Sequence, residues 1–204
     1  MRQILFMTVA LLAGTTVMTS CKKLVACLDA DVTTAKLGQP VTFKDCSENG
    51  YDMSVKFGDG KFTTSSAQLT HTYHAPGSYT ATIDVSSKNG KKSDNASVTI
   101  SVEQAAAQEF MGNWDHYKVE EYVAFFGEPA LTDSWEPGER NLTLSAGGEA
   151  EIEGYQTTWS LTPSANTVVI GSTGYTVHTQ YNNMLVLKED FFGFGYDLHY
   201  FQRK

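Results

Sequence analysis

Phe57-Gly58-Asp59-Gly60 opens the stretch, running on to Val85, whose reading decides how this chain folds. Two glycines flank an aspartate, so the backbone can take positive φ while the carboxylate bonds nearby amides, which predicts a tight turn between strands. Downstream, His71-Thr72-Tyr73 and Pro76-Gly77-Ser78-Tyr79 read as turns, and the alternation Tyr79, Ala81, Ile83, Val85 predicts a half-buried strand. Working outward, strands are expected from Cys27 to Thr33, Val41 to Cys46, Met53 to Phe57 and Lys61 to Thr64. Two more, Ser78 to Ser87 and Ser93 to Glu103, are joined by Lys88-Asn89-Gly90-Lys91, and Asn-Gly is a strong hairpin signal that pairs them.

The FGDG turn, the His71-Thr72-Tyr73 triplet, the Pro76-Gly77-Ser78-Tyr79 turn and the alternating strand together resemble the PKD (polycystic kidney disease) family. The resemblance covers residues 25–103 and implies an Ig-like β-sandwich there. Where that family commonly carries Trp two residues before the Phe, this chain has Val55, which implies a smaller core at that point.

Residues 1–20 are set apart from the fold. Met1-Arg2-Gln3 supplies a positive charge, Ile4 to Gly14 is an apolar run of signal-peptide length, and Met18-Thr19-Ser20-Cys21 ends it. That ending resembles a bacterial lipobox, which implies diacylation of Cys21 and residues 21–24 as an acylated N-terminus on the outer membrane. An ordinary cleaved signal with an incidental cysteine is the alternative. Lys22-Lys23 follows without an acidic tract, which favours a periplasm-facing orientation and leaves a surface-facing one open. Cys27 and Cys46 lie symmetrically about a turn signal at Lys36-Leu37-Gly38, so antiparallel strands would set the two thiols opposite each other. An oxidising envelope compartment would join them in a disulfide; two buried free thiols are the alternative.

Gln104 to Gln108 lacks alternation and bulky apolar residues, marking residues 104–109 as a short linker or one helical turn that keeps two domains close together. From Trp114 the sequence reads as eight short strands: Trp114 to Val123, Arg140 to Ser145, Glu149 to Gly154, Thr157 to Leu161, Thr167 to Ile170, Tyr175 to Tyr181, Met184 to Lys188 and Tyr196 to Gln202. Turn signals separate nearly all of them, so an up-and-down antiparallel meander is expected, and closing it into a barrel removes its edges. Gly112-Asn113-Trp114 is similar to the GxW opening of lipocalin-like barrels, and Tyr200-Phe201-Gln202-Arg203 to their last strand. The resemblance covers residues 110–204 and implies that Arg203 stacks over Trp114 to close the barrel base. The fold class is therefore all-β: a PKD-like sandwich followed by a small eight-stranded antiparallel barrel.

A formal charge of −8 argues against a nucleic-acid partner, which would need a basic face. No catalytic constellation stands out, and neither a cofactor nor a metal is expected. His71 and His74 supply two ligands where a metal site needs three or four. Asp59 reads as a turn cap, and one carboxylate falls short of the six to eight oxygens of calcium. His116, His178 and His199 fall on separate strands, and Glu149, Glu151 and Glu153 share the face of one strand, as a solvated edge would. The aromatics say more: Phe125 and Phe126 lie in a loop from Tyr122 to Trp135, and Phe191, Phe192 and Phe194 in the last turn. Apolar side chains concentrated in loops mark either a plug of the barrel mouth or a contact surface. The expected function is thus noncatalytic: an envelope lipoprotein held by its acyl anchor, binding or scaffolding protein or glycan. A carrier of a small hydrophobic ligand is the alternative, and a hydrolase the remote one.

Overall fold

The computed structural model describes residues 22–64, 69–104, 106–124, 128–138, 140–191 and 194–204. Eight strands build the first domain: β1 (Leu28–Ala30), β2 (Thr34–Ala35), β3 (Pro40–Asp45), β4 (Asp52–Lys56), β5 (Phe62–Thr63), β6 (Leu69–Thr72), β7 (Gly77–Ser86) and β8 (Ser93–Val102). They form two sheets, β1-β3-β6 and β2-β8-β7-β4-β5, packed face to face as a sandwich. Alternation along each strand sends Val41, Phe43 and Leu69 from one sheet, and Val55, Ala81, Ile83, Val85 and Ile100 from the other, into the shared core. Leu69–Thr72 is a strand paired with β3, so His71 and Thr72 lie in a strand where a turn was expected, and the chain bends only at Ala75. β1 pairs antiparallel with β3, Leu28 opposite Asp45, which sets Cys27 beside Cys46 at a Cα separation of 4.8 Å in a disulfide. The chain between them is no simple hairpin, because β2 crosses over to run parallel to β8.

The family motifs make one connected cluster. Lys61 N donates to Asp59 Oδ1 at 3.0 Å, and Asp59 Oδ2 lies 2.7 Å from His71 Nε2. The His71 ring stacks on Phe57 at 4.1 Å, and Tyr73 Oη donates to Phe57 O at 2.9 Å. Tyr73 stacks in turn on Tyr79, whose hydroxyl donates to Ala75 O. Gly58 is required between them: its φ is +89°, and a Cβ there would lie 2.8 Å from Thr80 O.

A single helical turn, α1 (Ala107–Phe110), leads into the second domain. Its strands are β9 (Gly112–Val123), β10 (Ala130–Trp135), β11 (Arg140–Leu144), β12 (Glu149–Ile152), β13 (Tyr155–Thr162), β14 (Thr167–Ile170), β15 (Thr173–Tyr181), β16 (Met184–Asp190) and β17 (Gly195–Arg203). Each pairs antiparallel with its neighbour, and β17 returns to β9, closing an eight-stranded barrel of β9 and β11 to β17. β10 is a strand where a loop was expected, because a bulge between Leu131 and Asp133 breaks its alternation and all six of its residues are exposed. It pairs with Val119 to Val123 on the side of β9 that β11 takes further down, opposite Gly112 to His116. Its other edge has no strand partner among the described residues.

Candidate functional site

Strand register fixes which side chains enter the barrel, since directly opposed residues share a face. At the end nearest α1 the interior is filled by Trp114, Leu144, Ala150, Trp159, Val168 and Leu185, all buried. Phe110, fully buried, plugs this base, and Trp114 Nε1 donates to its carbonyl at 2.7 Å. The Arg203 guanidinium sits 4.7 Å from the centre of the Trp114 ring, and its Nη2 donates to Glu109 O and Met111 O. One cation thus covers the indole and collects carbonyls around α1, which no strand would pair.

The other end, the mouth, is polar. His116, at 8% exposure, stacks on Phe201 with ring centres 4.4 Å apart and lies 5.3 Å from His199. His199 Nε2 faces Glu189 Oε2 at 3.3 Å, and Tyr175 meets the same ring edge-on. Burial, then the charges of His199 and Arg140, pushes His116 down to about 4, so its imidazole is neutral at pH 7. His116 Nε2 is buried without a hydrogen-bond partner. These rings, with Arg140, Leu142, Ile152 and Leu187, line a cavity of about 140 Å³. Small-molecule pockets usually run from about 300 to 1,000 Å³, so this space is too small to suit the carrier of a hydrophobic ligand.

Around the mouth the wall carries acid and aromatic groups. Asp133, Glu121, Asp197 and Glu189 stand directly opposite one another on β10, β9, β17 and β16. On the rim Tyr155 is 78% and Phe194 74% exposed, while Phe191, Leu131 and Trp135 are also exposed. Phe125, Phe126 and Phe192 lie outside the described residues, as does Cys21. Glu153 leaves the strand face it was expected to share with Glu149 and Glu151: it sits in a turn at φ +54° and pairs with Arg140 Nε at 2.7 Å.

The sandwich docks towards the barrel base. Gln180 N donates to Leu37 O at 2.9 Å, Lys36 pairs with Glu109, and Gly38 lies against Thr179. His74 stacks on His178 at 3.8 Å and lies 3.0 Å from its carbonyl through Nδ1. Burial, then the charges of His74 and Lys188, pushes His178 down to about 4; burial also lowers His74. Sequence reasoning could not join these two histidines, which lie 104 residues apart. Among the described residues, one group of three metal-type ligands comes together, Cys27, Asp29 and Cys46, and its two sulfurs are spent in the disulfide.

No curated protein matches this chain. Among solved structures, the PKD1 domain of the Vibrio cholerae metalloprotease PrtV is 30% identical, covers 39% of this chain and 96% of its own, and has a TM-score of 0.34. A carbohydrate-binding module of the β-sandwich superfamily is 20% identical over 89% of this chain and 91% of its own, with a TM-score of 0.37. A lipoprotein from Bacteroides thetaiotaomicron is 13% identical over 87% of this chain and 100% of its own, with a TM-score of 0.26. The PKD domain family matches residues 27–102, the segment that holds the FGDG turn, the His71-Tyr73 pair and the disulfide. Through residues 27–102 this chain belongs to the PKD domain family.

Proposed function

We propose that this chain is a noncatalytic binding module of the bacterial envelope, anchored through acylated Cys21, with the barrel mouth as its contact face for protein or glycan. The observation that carries the reading is the contrast between the barrel's two ends. The base is filled and plugged, whereas the mouth exposes Tyr155, Phe191 and Phe194 beside buried polar groups. Large apolar side chains at loop tips cost solubility, and such concentrations mark contact surfaces. Tyrosine and phenylalanine faces suit sugar rings and protein side chains alike. PKD domains are typically noncatalytic, and here the domain acts as a fixed spacer held against the barrel near its base.

The test has two arms. Cys21→Ser should move the protein from the membrane fraction to the soluble envelope fraction. Tyr155→Ser combined with Phe194→Ser should abolish capture on a glycan array or from an envelope extract while leaving thermal unfolding unchanged. Capture undiminished by those two changes would take the mouth out of the reading.

A further inference from the structure

Four carboxylates in cross-strand register end at an unpaired strand edge. Asp133 opposes Glu121, Glu121 opposes Asp197, and Asp197 opposes Glu189, so the row crosses four neighbouring strands on one face of the sheet. Opposed side chains on adjacent strands stand about 5 Å apart, and like charges so placed repel. Asp197 registers the strain: burial raises its pKa, the charge of His199 lowers it, and Glu121 and Glu189 raise it again, leaving it above the usual carboxylate range. Asp197 Oδ1 is also buried without a hydrogen-bond partner. Basic side chains nearby are committed elsewhere, Arg140 to Glu153 and Lys188 to Asp190.

The row stops at β10, whose outer edge offers six exposed residues of backbone with no strand partner among the described residues. A free edge is a template for another strand. A second copy of this chain is a poor occupant, because its own β10 would bring Asp133 towards Asp133 and the chain carries a formal charge of −8. The bulge next to Asp133 adds to that barrier.

We infer that β10 is the docking edge for an extended, basic segment of a partner protein, which adds a strand to the barrel and sets a lysine or arginine opposite Asp133, at the open end of the Asp133–Glu121–Asp197–Glu189 row. Such a segment alternates. One side chain in two shares the face of Asp133, the one opposed to it extending the row by a strand, and those between can cover Leu131, 52% exposed on the opposite face of β10. Charge complementarity of this kind sets the partner's sign and speeds encounter. The inference rests on the mouth being the contact face, and it chooses protein over glycan.

The probe is a ten-residue alternating Lys–Val peptide, titrated onto the full chain at low and at moderate salt. Binding is expected, weakening at least tenfold between about 0.05 and 0.3 M salt as screening grows. A Glu–Val peptide should not bind, and a Lys–Val peptide N-methylated at alternate residues should lose at least tenfold, because it cannot form the edge ladder. The double variant Asp133→Asn with Glu121→Gln should weaken the peptide at least tenfold while its Tm holds or rises, since a like-charge pair is removed. A purely structural role for the two carboxylates would lower the Tm instead. Equal binding of the N-methylated peptide, or undiminished binding by the double variant, overturns the inference. If a glycan array captures the chain and the peptide does not bind, the inference fails while the mouth stands as a contact face. If neither binds, both readings fail.

Discussion

Replacing Gly38 by alanine should release the sandwich from the barrel. Gly38 has φ +78°, where a Cβ costs about 1 to 2 kcal/mol. That Cβ would also lie 2.4 Å from Thr179 Cγ2, 2.6 Å from its Oγ1 and 2.7 Å from its Cβ. Rotation of the Thr179 side chain moves the first two atoms but not the third. Carbon atoms pack at about 3.5 to 4.0 Å, so the two backbones must part by roughly an ångström. At that separation the Gln180 N to Leu37 O bond of 2.9 Å and the His74 Nδ1 to His178 O contact of 3.0 Å are both lost, at about 0.5 to 1.5 kcal/mol each. The exposed Lys36–Glu109 pair adds at most about 1 kcal/mol. The expected loss is therefore about 2 to 6 kcal/mol, of which about 1 to 4 kcal/mol is coupling between domains. Calorimetry should split one unfolding transition into two, and small-angle scattering should report a longer particle. Gly60→Ala is the control, since Gly60 shares a positive φ of +90° but has nothing within 4 Å: it should cost the backbone strain and leave the scattering unchanged. Gly38→Ala with Thr179→Gly should restore docking. An unaltered single transition and scattering curve for Gly38→Ala would refute the argument.

Acid should loosen the same interface. His178 titrates at about 4 against an ordinary value near 6.5, so the docked state holds the neutral ring and the undocked state takes up the proton; stability is full above about pH 6.5 and falls as the pH drops through that window towards 4, by up to about 3 kcal/mol. His178→Gln should flatten that slope in pH-dependent thermal unfolding; an unchanged slope would assign it to His116, which is displaced in the same direction. Arg203→Ala should lower the barrel's unfolding temperature by removing the contact with Trp114 and the donors to Glu109 O and Met111 O, at a cost of about 1 to 3 kcal/mol, and should leave the PKD domain's unfolding unchanged in a calorimetric scan of the Gly38→Ala background.

What the sequence made legible was local. The FGDG turn and the His71-Tyr73 pair work over short distances, and their residue types follow from the hydrogen bonds they make with each other. Barrel strands showed through because apolar alternation and turn residues repeat along them. β10 did not show, because its bulge destroys the period and its exposure removes the apolar half of the pattern. The mouth was hidden for a different reason. His116 and His199, or Glu121 and Asp197, become neighbours only through β17 returning to β9, and register between strands so far apart is set by closure of the whole barrel rather than by any one turn. The stack of His74 on His178 is hidden in the same way, as it needs the packing of one domain on the other.

The positions of these features along the barrel separate stability from contact. Everything that clamps the molecule lies towards the base: the Phe110 plug, Arg203 on Trp114, and the docking of the Leu37 turn on Gln180. A closed base with a well-packed core can tolerate unfavourable groups elsewhere on the same strands, and the mouth holds them: a neutral buried histidine with an unpaired nitrogen, four opposed carboxylates and an edge strand left open. Each would be less costly if replaced by an ordinary residue. Asp197→Asn, for instance, should raise the barrel's unfolding temperature, since it removes a carboxylate held between Glu121 and Glu189. A gain in stability from so slight a change is what a site specialised for contact predicts, because its missing countercharge is supplied only when a partner arrives. A loss of stability on the same change would instead make the row part of the scaffold, paired within the barrel by His199.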